Sequence, residues 1–86
     1  MKELIGKVVV VDTDASWVYV GRLESIDNDS VLLTGVDAHD KNDIEISKEK
    51  YILDTRRHGV KDNRKKTYVL RNRVVSICDL EDVVKF

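Results

Sequence analysis

The sequence predicts a mainly β chain whose five strands curl into a small, strongly bent barrel, with one helix inserted between the third and fourth strands. Three observations predict it. Apolar and polar residues alternate in the period of two that a half-buried strand requires. A glycine interrupts the longest such stretch, where a small sheet must bend. Helical signals occur once, after residue 47. At 86 residues the chain is below the roughly 100–200 residues of a usual folding unit, so it is expected to be one domain, 1–86, with a helical insertion at about 47–59. Its 42% hydrophobic content against 36% charged separates it from disordered chains. A domain of this size buries only about 60–65% of its unfolded surface, which leaves little stability to spare.

The first strand is carried by Val8–Val11, four consecutive valines that suit a pleated surface buried on both faces and suit a helix poorly. Asp12 to Ser16 make a polar turn. Trp17, Tyr19, Gly21 and Leu23 then alternate with Val18, Val20, Arg22 and Glu24 along a long second strand, with Gly21 at its middle. Asp27, Asn28 and Asp29 turn the chain into a third strand, Ser30–Val36, and Asp37 to Asp43 read as a polar, turn-rich connection. Ser47 is a good N-cap, Glu49 lies in the first turn, Arg56 and Arg57 in the last, and Gly59 follows, so a helix is expected at about 48–58 with Tyr51, Ile52 and Thr55 on one side. Lys61–Lys66 form a charged connection. Thr67–Arg71 and Val74–Cys78 are short fourth and fifth strands separated by Asn72 and Arg73. Leu80–Phe86 add a last turn or edge segment. No proline is present, so Gly, Asn, Asp and Ser must make the turns.

The net charge of −1 conceals an uneven distribution. Residues 1–55 hold six Lys/Arg and twelve Asp/Glu, residues 56–73 eight and one, and residues 74–86 one and three, giving −6, +7 and −2. A concentrated basic stretch in an acidic chain points either to a polyanionic partner or to docking on an acidic surface of another subunit. The single Cys78 excludes an internal disulfide and fits a reducing compartment. At the end of an apolar run it reads as a small buried hydrophobe. No stretch approaches the ~18 apolar residues of a membrane span and no secretory signal is seen, so a cytoplasmic location and no membrane partner are expected.

Gly21, Leu23 and Asp27, with Arg22–Ile26 between them and Val31, Leu32 and Leu33 following, resemble the first motif of the Sm-like (LSm, Hfq-like) family. Leu70, Arg71 and Asn72, followed by Val74, Val75 and Ile77, resemble the second. The likeness covers residues 4–36 and 67–79 and is similar to small bacterial or phage-like members. It implies a five-stranded SH3-like/Sm-like barrel that assembles as a homo-oligomeric ring, pentamer to heptamer, in which strand four of one subunit pairs with strand five of the next. It also implies RNA or single-stranded nucleic acid as ligand, with Arg71 the retained family contact. Asn72 stands where the family has Gly and is expected to hold left-handed backbone.

The expected nucleic-acid set is Arg71, Asn72 and Arg73 in the turn, with Arg64, Lys65 and Lys66 before it. Strong salt dependence would follow from counterion release. Tyr68, embedded in the basic stretch, is either packed in an interface or a stacking platform for a base. Trp17 and Tyr19 share a face and serve the core or a subunit contact. The alternative is a structural or adaptor homo-oligomer that binds protein partners and uses the basic stretch in subunit contacts. No enzymatic role is expected. Asp37, His39, Asp40 and Asp43 are metal-ligating types, but their spacing fits no established pattern, so no catalytic residue, metal or cofactor is assigned. His58 is expected to face the helix C-terminal dipole.

Overall fold

A computed structural model describes residues 1–42 and 47–84. The elements run in the order β1 (Val8–Thr13), β2 (Trp17–Ile26), β3 (Ser30–Asp40), α1 (Lys48–His58), β4 (Arg64–Leu70) and β5 (Val74–Asp79). Short 3-10 turns occupy Lys2–Leu4, Arg71–Arg73 and Leu80–Asp82. All strands join one antiparallel sheet in the order β4-β3-β2-β1-β5.

The sheet has two buried faces, and this explains the valine run of β1. Val9 and Val11 join Leu23, Val31, Leu33, Val36 and Val69 in the core on the concave side. Val10 points the other way, with Val18 and Val20, and α1 covers them with Tyr51 and Ile52, helped by Leu80. Strand residues directly opposite one another share a face, so β1 needs apolar side chains on both sides. Gly21 sits at the bend: the β2–β3 register shifts between Val20 and Arg22. A Cβ at that position would lie 3.1 Å from the Thr34 carbonyl oxygen.

The helix begins where Ser47 Oγ accepts the Lys50 N–H at 3.2 Å and ends at Gly59, whose φ is +89°. Tyr51, Ile52 and Thr55 are its buried residues. A second clamp was not visible in the spacing of the sequence. Asp12, near the end of β1, accepts from Lys41 Nζ and Lys48 Nζ at 3.0 Å each, and Lys41 Nζ also donates to the Thr13 carbonyl at 2.8 Å. Burial pushes the Asp12 carboxyl upward, but hydrogen bonds from Lys48 and Lys41 outweigh it and hold the group below the usual carboxylate range. A depressed folded-state pKa contributes stability that is present above the unfolded value and is lost as pH falls through the folded one. The urea midpoint is therefore expected to decline below about pH 4, and Asp12→Asn, less stable at neutral pH, should show a shallower decline. Parallel acid profiles for the two chains would contradict this role.

The structure corrects several expectations. The bent barrel does not close: β4 and β5 lie at opposite edges of the sheet and do not pair. The third strand continues to Asp40 instead of stopping at Val36, because Asp37 and His39 face α1 opposite Val20 and Val18. The fourth strand starts at Arg64, so Arg64–Lys66 belong to an edge strand and not to a connection; charged residues are tolerated there because one side is open to water. Asn72 is not left-handed, since no residue other than glycine among those described has positive φ, and the turn is a 3-10 helix. Cys78 is exposed, because β5 is an edge strand with its outward face uncovered. Asp43 and Phe86 lie outside the described residues. No helix among the described residues is long and apolar enough to cross a membrane.

Candidate functional site

The expected basic set is not one cluster. Arg71 closes the end of the sheet: its N–H donates to the Asp29 carbonyl at 2.9 Å and its Nη1 to the Asp27 carbonyl at 3.0 Å. The Asp27 carboxylate accepts the N–H groups of Asp29 and Ser30 at 2.8 and 2.9 Å. Those backbone donors, Ser30 foremost, hold its carboxyl below the usual range. Arg73 turns to the β1–β2 loop, where its Nε lies 3.1 Å from Asp14 Oδ1 and its carbonyl accepts the Asp14 N–H. Asn72 is exposed between them.

Arg64, Lys65 and Lys66 stand at the other end of β4, roughly 20 Å from Arg71 at about 3.3 Å per residue. Arg64 Nη1 donates to the Asn63 carbonyl at 3.1 Å. Asn63 in turn pairs its side-chain amide with the N–H and carbonyl of Ala38, both at 3.1 Å, and so fixes the entry into β4. Lys66 Nζ lies 6.0 Å from the Tyr68 ring centroid.

The metal-type residues are also separated. His39 stacks on Tyr51 with ring centroids 4.0 Å apart, whereas Asp40 lies opposite Trp17 on the other face and accepts the Asn42 N–H. Among the described residues no three His, Cys, Asp or Glu side chains are grouped as a metal site would require.

What the fold does bring together is a seam along β4. The Arg71 to Asp29 bond sets the phase of the ladder: Val69 and Thr67 exchange bonds with Val31 and Leu33, so Lys66, Tyr68 and Leu70 turn their amides and carbonyls away from the sheet. Tyr68 and Leu70 are each 61% exposed. Between this edge and the first turn lies a slot of about 210 Å³, lined by Ala15, Trp17, Tyr19, Val69, Leu70 and Arg73 among others. The β5 edge is also open and carries Val75, 67% exposed. The only sequence sign of the seam was the alternation that put Trp17 and Tyr19 on one face; their meeting with β4 depends on curvature that no local pattern encodes.

No protein-family model and no curated protein matches the chain. Among solved structures, the chain is similar to one in the crystal structure of the NatC complex bound to CoA. The TM-score is 0.61 over 95% of this chain and 86% of that chain, at 18% identity. The likeness is one of fold.

It overturns the family expected from Gly21–Asp27 and Leu70–Asn72. No family match supports Sm-like membership, and the fold is shared instead with a chain of the NatC complex. The short motifs misled because a bent strand with a central glycine and a basic turn before an aliphatic strand are requirements of the sheet. With the family goes the RNA-binding homo-oligomeric ring; the neighbour's place in a multi-protein complex is consistent with protein partners, as the adaptor alternative expected. The expectation that the chain has no enzymatic role is corrected by the same finding, since its fold is shared with a chain of a complex bound to CoA.

Proposed function

We propose that this chain is a small subunit of a multi-protein assembly of the acetyl-transfer kind, in which it docks on a larger chain through its open strand edges. The observation that carries the reading is the pair of unpaired edges, β4 and β5, bearing Tyr68, Leu70 and Val75 in water. Exposed edges with apolar side chains promote association unless a partner covers them. The fold shared with a chain of the NatC complex supports a place beside a CoA-dependent enzyme. The exposed free thiol of Cys78 fits a reducing, cytoplasmic setting.

The test is purification of the tagged chain at native abundance. It is expected to co-purify at fixed stoichiometry with a larger chain, in a preparation that transfers acetyl from acetyl-CoA to a peptide amino terminus. Recovery of the chain alone, or only in multiples of itself, would sink the reading.

A further inference from the structure

We infer that β4 accepts, as a sixth strand, an extended acidic segment of a partner protein that sets an aliphatic side chain into the slot between Trp17 and Val69. The inference rests on the assembly reading and names the chemistry of its partner. Three features of the edge converge. The outward amides and carbonyls of Lys66, Tyr68 and Leu70 form a row that another backbone can satisfy, which is the basis of strand addition. A strand placed there alternates its side chains in the period of two, so every second one points to the concave side, where the 210 Å³ slot opens beside Trp17, Tyr19 and Val69. At the start of the strand stand Arg64, Lys65 and Lys66, all exposed. Among the described residues no carboxylate lies within ion-pair distance of Lys65 or Lys66.

Charge complementarity therefore selects an acidic segment. The β5 edge does not compete for it, because β5 ends at Asp79 and is followed by Glu81 and Asp82. A second copy of this chain would bring β5, whose Val74 and Ile77 already pack against their own core, which leaves Val75 as the one exposed aliphatic side chain of that strand. Antiparallel addition places the carboxylates in the C-terminal half of the segment and the aliphatic residue in its N-terminal half.

Trp17, the single tryptophan of the chain, reports occupancy of the slot. The probe is a short peptide with isoleucine alternating with threonine in its first half and glutamate in its second, titrated into the isolated full chain while Trp17 emission is followed. A saturable shift is expected that weakens with salt and is absent with a peptide carrying lysine in place of glutamate. Tyr68→Pro removes an outward N–H without touching the β3 ladder, and is expected to weaken binding about tenfold, near the value of one hydrogen bond. Should circular dichroism show that variant unfolded, the double substitution Lys65→Glu with Lys66→Glu changes only exposed side chains and is expected to abolish the shift. The inference is overturned by a shift that survives both changes, by equal binding of the lysine peptide, or by no saturable shift. It is also overturned if oligo-uridine displaces the peptide, or if light scattering finds β4 covered by a second copy. A native assembly that survives Lys65→Glu with Lys66→Glu overturns the β4 assignment alone, whereas lack of any assembly overturns the reading beneath it.

Discussion

A Leu23→Ala chain is expected to lose a large share of its stability. Leu23 has no exposed surface and stands at the centre of the concave core with Val9, Val11, Leu33 and Val36. Truncating such a leucine costs about 2–5 kcal/mol, from lost transfer energy and the cavity left behind. The whole chain has roughly 4–13 kcal/mol to lose, at about 0.05–0.15 kcal/mol per residue. The surrounding valines are β-branched and held on paired strands, so the cavity cannot collapse easily and the cost falls toward the upper end. Urea unfolding should show a lower midpoint with an unchanged slope. A midpoint close to that of the parent chain would mean that the concave side is not the principal core.

The second large effect is expected at Gly21. A methyl group there would meet the Thr34 carbonyl oxygen at 3.1 Å, Val36 Cγ2 at 3.2 Å and Val36 Cα at 3.3 Å. Two of these atoms are backbone of the neighbouring strand, so relief requires β2 and β3 to separate where their register already shifts. Gly21→Ala is therefore expected to destabilise by about 1–3 kcal/mol, the range of overpacked sites, despite the usual gain from lowering unfolded-state entropy. A neutral or stabilised Gly21→Ala chain in the same urea experiment would show that the bend does not depend on close approach.

The helix was legible in the sequence because its ends are chemical. Ser47 caps, Gly59 takes positive φ, and the residues 48–58 between them match α1. The strand cores were legible for a similar local reason, since Val8–Val11 and Trp17–Leu23 carry the period in their composition. Strand ends were not. Asp37, His39 and Asp40 look like a polar turn, yet they continue β3 because the face they occupy is roofed partly by the aromatic ring of Tyr51. Arg64–Lys66 look like a linker, yet a strand with one open edge holds charged residues without cost to the core. Cys78 ends an apolar run, the pattern of a buried residue, yet it is exposed because nothing covers that side of β5 at the sheet edge.

The candidate site was less legible than the fold. Arg71 and Arg73 were placed together correctly in one turn, but their partners, the Asp27 carbonyl and Asp14, come from 44 and 59 positions earlier in the chain. The Trp17–Val69 slot joins β2 to β4 across a curved sheet. Curvature depends on Gly21 and on the sum of strand twists, neither of which fixes how far β2 and β4 close over the space between them.

The central claim is that the open strand edges are the surface by which this chain joins a larger assembly. Amide hydrogen exchange, read residue by residue in the isolated chain and in the purified assembly, tests it most directly. Thr67 and Val69, bonded to β3, should be protected in both states. Lys66, Tyr68 and Leu70 should exchange freely in the isolated chain and become protected in the assembly. Fast exchange at those three positions in both states, with new protection elsewhere, would contradict the account.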